Sequence, residues 1–90
     1  MDRNTLLTAT NVLKKAGCTE IYLFGSQTTG HTNPDSDIDL GVRGLAPAMF
    51  FQVHFDLEQK LAMPVDLVDF DRQSDFFSML QELGEVQKIG

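Results

Sequence analysis

Hydrophobic positions along this chain follow a helical spacing in some segments and a strand-like alternation in others. In the first segment, apolar residues recur every three to four positions, which predicts a helix that Asp2 or Asn4 caps and that ends near Ala16. Gly17 suits the position just after that helix. In residues 19–24, apolar side chains fall on both alternating faces, which predicts a buried strand.

The remaining pattern continues this alternation of helices and strands. It predicts a strand over 37–43, a helix over 47–61 opened by proline, a strand over 65–70, a helix over 74–83 with Ser74 as N-cap, and a brief strand or turn over 86–89. The predicted fold class is α/β (α+β). We expect a small mixed sheet with helices packed on one face, so that the open face carries the chemistry.

Residues 24–40 join a glycine–serine pair to two spaced aspartates. Gly25 permits a sharp turn and the close approach of a ligand, and Ser26 caps a short helix whose free N–H groups favour anions. Asp37 and Asp39 would project from the same face of a strand, where they repel each other unless a cation neutralises them. Mg²⁺ takes oxygen ligands and shares them with phosphates. The stretch therefore predicts a phosphate cradle beside a magnesium site.

A third carboxylate would complete a site for one or two magnesium ions, and the strand over 65–70 offers Asp66 and Asp69. If Val65 and Leu67 face the core, Asp66 faces outward, whereas Asp69 falls on the core side or at the strand's end. Asp66 is therefore the predicted third acid.

Composition limits the kind of partner. The chain has 90 residues, 42% of them hydrophobic, and it is expected to form a single domain over 1–90. Its net charge is -6 and its basic residues are scattered, which argues against a nucleic-acid groove. A single cysteine, Cys18, and the lack of any signal or membrane-spanning run predict a cytoplasmic protein.

A glycine–serine pair, ten residues, a DxD pair and a later VDL segment together resemble the signature of the polymerase-β-like nucleotidyltransferase superfamily. The length and the PVDLVDF segment are similar to its minimal, MNT-type members. The resemblance implies a nucleotidyltransferase fold, with Asp37, Asp39 and Asp66 as catalytic, magnesium-binding residues and with Gly25 and Ser26 at the nucleotide.

The same resemblance implies a substrate and a partner. MNT-type proteins work with a helical HEPN-type protein as toxin and antitoxin. The implied reaction is the transfer of AMP from Mg-ATP to a tyrosine hydroxyl of that partner. The chain is too short to be expected to carry its own acceptor domain.

The sequence departs from the family at one point. Many members have arginines shortly after the glycine–serine pair, where this chain has Gln27 and Thr29. Arginine would contribute charge-assisted contacts to a triphosphate. The alternative is therefore a non-catalytic module that binds a nucleotide or the partner and acts by contact.

Several other side chains have two interpretations. The adjacent pairs Phe50–Phe51 and Phe76–Phe77, with Phe55, indicate either a wide core stripe or an exposed interface. His54 lies on the apolar side of its helix, which favours a packed histidine over a ligand. The acidic residues outside the motif are interpreted as solvated charges. They include Asp56, Glu58 and Asp71.

Overall fold

The computed structural model describes residues 3–24 and 38–90. Gly25, Ser26 and Asp37 lie outside these described residues. The elements in chain order are helix α1 (Arg3–Lys15), strand β1 (Glu20–Phe24), strand β2 (Ile38–Arg43), helix α2 (Phe50–Leu61), strand β3 (Val65–Asp69), helix α3 (Ser74–Leu83) and strand β4 (Val86–Lys88). A 3₁₀ turn, Pro47–Met49, precedes α2.

The four strands form one mixed sheet in the order β3-β2-β1-β4. Strand β1 pairs antiparallel with β2 and with β4, whereas β2 and β3 run parallel. A parallel pair needs a crossover connection, and α2 lies in that connection. The predicted mixed sheet is therefore confirmed, and residues 86–88 belong to it as a strand.

Helices α1 and α2 pack on one face of the sheet, as expected. Leu13 of α1 and Leu57 of α2 are fully buried there. The sheet residues of this core occupy alternate positions along each strand, and they are Ile21, Leu23, Ile38, Leu40, Val42, Val65 and Leu67. Cys18 is buried in the same cluster.

Helix α3 lies against part of the other face, so the expectation that the helices share one face holds only for α1 and α2. Its Phe77 is buried and stacks on Phe70 with ring centroids 4.6 Å apart. The half-buried Phe76 meets Phe24 edge-on at 5.6 Å. The wide-core interpretation therefore holds for the Phe76–Phe77 pair. This second, aromatic core leaves the starts of β2 and β3, with Asp39 and Asp66, as the remaining described part of that face.

Gly41 allows the aromatic core to approach the sheet. A Cβ atom on Gly41 would lie 2.0 Å from the Cε2 atom of Phe70, far inside van der Waals contact. The ring of Phe70, only 1% exposed, thus occupies the space that a side chain at position 41 would fill.

Two details of the helix ends differ from the predictions. Ser74 is not the N-cap of α3, because the helix already begins there and Gln73 precedes it as the cap. The cause is the turn after β3, in which the N–H groups of Arg72 and Gln73 both donate to the carbonyl of Asp69. The predicted helix over 47–61 begins as the 3₁₀ turn and becomes α-helical only at Phe50.

No described helix is long and apolar enough to cross a membrane.

Candidate functional site

Asp39 and Asp66 lie directly opposite each other on the parallel strands β2 and β3. Neighbouring strands are about 4.8 Å apart, so the two backbones bring the acids close together. Both follow a core residue by one position, and strand alternation therefore directs both side chains to the face opposite α1 and α2. Asp39 is buried at 3% exposure, and Asp66 is partly exposed.

The environment of the pair disfavours two negative charges. Burial raises the pKa of Asp66 above its ordinary value, the charge on Asp39 raises it further, and His54 partly opposes both. A cation between the acids would relieve this repulsion. The donors are all carboxylate oxygens, which suits a hard ion such as Mg²⁺.

The described residues alone do not form a complete metal centre. Within 3–24 and 38–90, no group of three histidine, cysteine or acidic side chains is arranged to hold an ion. The third predicted ligand, Asp37, lies outside these ranges, as do Gly25 and Ser26. Their roles at the site stay predictions.

The choice between Asp66 and Asp69 rested on strand alternation, and the orientation is as expected. Val65 and Leu67 are buried in the first core, and Asp66 faces the other way. Asp69 is 6% exposed, and its Oδ1 atom accepts the N–H of Asp71 at 3.0 Å. This hydrogen bond stabilises the turn that follows β3.

Two residues of α2 contact the start of β3, and the sequence interpretation missed both contacts. Glu58 Oε2 accepts the N–H of Val65 at 2.9 Å. His54 Nε2 lies 2.6 Å from the carbonyl oxygen of Val65, so this ring nitrogen donates to it. Glu58 is therefore not a merely solvated charge, and His54 is neither fully packed nor exposed. The only sequence signal was their i,i+4 spacing on a helix that precedes the third acid.

Asp71 is exposed, as the sequence interpretation expected, but it also makes specific contacts that the sequence did not indicate. Its carboxylate accepts the N–H of Gly44 at 2.7 Å and the Nε–H of Arg43 at 3.0 Å. These two donors hold the pKa of Asp71 below its usual value, and the backbone N–H of Gly44 has the larger effect. The contacts join the turn after β3 to the end of β2.

Helix α2 also presents an apolar surface to solvent. Phe51 is 81% exposed and Phe55 is 58% exposed, one helical turn apart. Beside Phe51 lies a cavity of about 290 Å³ whose lining includes Phe50, Asp69 and Arg72. Phe51 and Phe55 are therefore not part of a wide core stripe, whereas Phe50 packs against the first core, and a role of the two exposed rings in an interface stays a prediction.

A mixed sheet with opposed acids on two neighbouring parallel strands is what the resemblance to nucleotidyltransferases implied, and the sequence comparison agrees. The family model for polymerase beta, nucleotidyltransferase matches residues 8–86, and the chain belongs to this family. No curated protein sequence matches the chain.

Solved structures with the same fold are toxin–antitoxin complexes. One is a toxin–antitoxin with AMP-PNP, at 25% identity over 98% of this chain and 72% of that chain, with a TM-score of 0.72. Another is the tri-AMPylated Shewanella oneidensis HEPN toxin in complex with MNT antitoxin, at 22% identity over 98% and 71%, with a TM-score of 0.74. A third is the toxin–antitoxin MntA–HepT, at 22% identity over 97% and 70%, with a TM-score of 0.72.

Proposed function

We propose that this chain is an MNT-type antitoxin that transfers AMP from Mg-ATP to a hydroxyl group of a HEPN-type partner protein. Membership of the nucleotidyltransferase family supplies the reaction class. The similar complexes that contain AMP-PNP and a tri-AMPylated toxin support the choice of nucleotide and acceptor. Within this chain, the observation that carries the proposal is the direct opposition of Asp39 and Asp66 on the sheet.

Each site residue has a proposed role. Asp39 and Asp66, together with Asp37, would hold one or two Mg²⁺ ions. Bound Mg²⁺ would neutralise phosphate charge at the site. Gly25 and Ser26 would bind the phosphates through backbone N–H groups and the serine hydroxyl.

Asp66 has a second proposed role as the general base. The acceptor oxygen forms a bond to the α-phosphorus of ATP, the bond from that phosphorus to the β-phosphate oxygen breaks, and pyrophosphate leaves. The hydroxyl proton passes to the carboxylate of Asp66.

The exposed aromatic residues of α2 are the proposed partner-binding surface. Large contiguous apolar side chains on a soluble protein mark interaction sites, and buried aromatic side chains dominate interface energies. Phe51 and Phe55 meet this description. The buried Cys18 is consistent with the reducing cytoplasm that we propose as the location.

The test is the intact mass of the partner protein. The chain and the HEPN-type partner are purified together, incubated with Mg-ATP, and compared with the same complex carrying Asp39→Asn or Asp66→Asn. A mass gain of one or more AMP groups is expected only with the native acids. Asp56→Asn is the matched control, because Asp56 is an aspartate of α2 that bonds only to Gln52 among the contacts described. Unchanged mass gain in the Asp66→Asn complex would refute the catalytic assignment.

The alternative function is a binding module that silences its partner by contact. The presence of Gln27 and Thr29 where many relatives have arginine favours it, because the triphosphate would lose charge-assisted contacts. In that case the complex forms, no mass is gained, and the Asp39→Asn chain still suppresses partner toxicity in cells. Suppression that requires both acids would exclude this alternative.

A further inference from the structure

We infer that His54 and Glu58 are positioning residues that hold Asp66 in place for cation binding, an inference that rests on the proposed metal site. Both lie on the same face of α2, one turn apart, and both reach the backbone of Val65. Their tips are themselves 3.6 Å apart. They form a clamp on the residue that immediately precedes Asp66.

The clamp acts on the free edge of the sheet. Strand β3 is the outer strand next to β2, so one side of its backbone has no neighbouring strand among the described residues. The hydrogen bonds of Val65 to α2 show that its N–H and C=O point to that free side. An unpaired strand end would fray, and the two side chains of α2 replace the missing strand there.

The geometry of the peptide bond carries the restraint to Asp66. The carbonyl that His54 binds belongs to the planar peptide unit joining Val65 to Asp66. With the N–H of Val65 also fixed by Glu58, the Cα atom of Asp66 has little freedom relative to α2. Helix α2 in turn is anchored in the first core by Val53 and Leu57. A ligand group must be held within about 0.5 Å of its working position, which a frayed edge strand would not achieve.

Helix α2 offers a matched pair for comparison. Gln52 donates to Asp56 at 3.0 Å with the same i,i+4 spacing, but neither side chain contacts β3 in the contacts described. Loss of that pair removes a helix-surface hydrogen bond of similar kind and leaves Val65 untouched. An effect found only in the His54 and Glu58 variants comes from the clamp or from their charges, since His54 also acts electrostatically on Asp66, and the glutamine variants, which keep a hydrogen bond without the charge, separate the two.

The experiment measures Mn²⁺ binding by electron paramagnetic resonance, with Mn²⁺ as the probe of the magnesium site and without nucleotide or partner. The variants are His54→Leu, Glu58→Leu, His54→Gln, Glu58→Gln and the control Gln52→Ala. We expect at least a tenfold weaker Mn²⁺ affinity in the two leucine variants and no change in the control. His54→Gln keeps an N–H donor near the position of Nε2 and Glu58→Gln keeps an acceptor oxygen, so both should recover most of the affinity. Thermal unfolding of each variant identifies any that fails to fold.

The outcomes separate this inference from the proposed function. Equal Mn²⁺ affinity in wild type and in folded His54→Leu and Glu58→Leu would overturn the clamp and leave the transferase intact. If the leucine variants bind Mn²⁺ weakly, wild type binds it well, and wild type transfers no AMP to the partner, the clamp is supported and the transferase is refuted. Wild-type protein that binds no Mn²⁺ without nucleotide would overturn the clamp, and the AMP mass gain of the partner would then test the transferase separately, because that reaction receives its metal as Mg-ATP. A loss that the glutamine variants do not recover would also overturn the clamp, because then side-chain packing or charge and not hydrogen bonding would matter.

Discussion

Replacing Gly41 by alanine tests how the aromatic core meets the sheet. Glycine in a strand interior is about 0.5–1 kcal/mol less favourable than alanine, so the backbone alone predicts that Gly41→Ala stabilises the protein. The structure predicts the opposite sign. The new Cβ atom would lie 2.0, 2.2 and 2.7 Å from three ring atoms of Phe70, whereas carbon atoms normally approach to about 3.5–4.0 Å.

The ring of Phe70 cannot move aside freely. It is 1% exposed and lies between Gly41 and the stacked ring of Phe77, 4.6 Å away. Overpacking of this kind costs about 1–3 kcal/mol, and the severity of the overlap favours the upper part of that range. After the favourable backbone contribution is subtracted, we expect a net loss of about 2 kcal/mol, which lowers Tm by roughly 8–16 °C in a domain of this size.

The assay is thermal and urea unfolding of Gly41→Ala, Phe70→Leu and the double variant, followed by circular dichroism. Leucine at position 70 makes room for the new methyl group, so the double variant should be more stable than the sum of the single changes predicts. Gly17→Ala with Phe70→Leu is the control for additivity: a Cβ at Gly17 meets nothing within 4 Å, so Gly17→Ala destabilises through its positive φ alone and independently of Phe70. A Gly41→Ala protein as stable as wild type, or more so, would show that the packing described for Phe70 is wrong.

Three further predictions concern charge and surface. The pKa of Asp66 is raised in the folded protein, so the free energy of unfolding falls as the pH rises from the unfolded to the folded pKa of this carboxyl. In EDTA at neutral pH, Asp66→Asn should therefore have a higher Tm than wild type. This advantage should disappear below about pH 4, where Asp66 is protonated in both states, and it should shrink when Mg²⁺ is added. The pKa of Asp71 is lowered, so its contribution is present above about pH 4 and is lost as the pH falls through the folded value. Asp71→Ala should therefore cost about 1 kcal/mol at pH 7, mainly because it removes the acceptor of the Gly44 N–H, while the exposed Arg43 pair contributes little. An equal pH profile for both proteins in urea unfolding would contradict this. Phe51→Ser should leave Tm within about 2 °C of wild type, since the ring is 81% exposed, but should weaken partner binding at least tenfold in calorimetry; unchanged affinity would remove α2 from the interface.

Strand alternation accounts for most of what could be predicted from the sequence. Because side chains alternate strictly along a strand, placing Val65 and Leu67 in the core determined the direction of Asp66 and Asp69 without any knowledge of the fold. The packing of helix α3 against the sheet was harder to predict from the sequence. Its Phe76 and Phe77 are adjacent, and only the missing side chain at Gly41 makes room for the aromatic core that receives them.

Contacts between a side chain and the backbone of a distant residue could not be predicted. Asp71 and Gly44 are 27 positions apart, and neither has a neighbouring pattern that marks the contact. Glu58 and Val65 are only seven positions apart, yet their hydrogen bond depends on how α2 returns along β3. Acidic residues on helices and turns are usually solvated, and only tertiary structure distinguishes the exceptions.

These two unpredicted contacts act together on the register of β3. A slip of one residue against β2 would turn Asp66 into the first core and Leu67 onto the site face. The clamp from α2 binds the N–H and C=O of Val65 at the start of the strand, and Asp71 binds the N–H of Gly44 just after the end of β2. Each contact recognises a particular backbone group, so a slipped strand would lose bonds at both ends. The opposition of Asp39 and Asp66, which is electrostatically unfavourable without a cation, is thus maintained by hydrogen bonds that lie outside the acid pair itself.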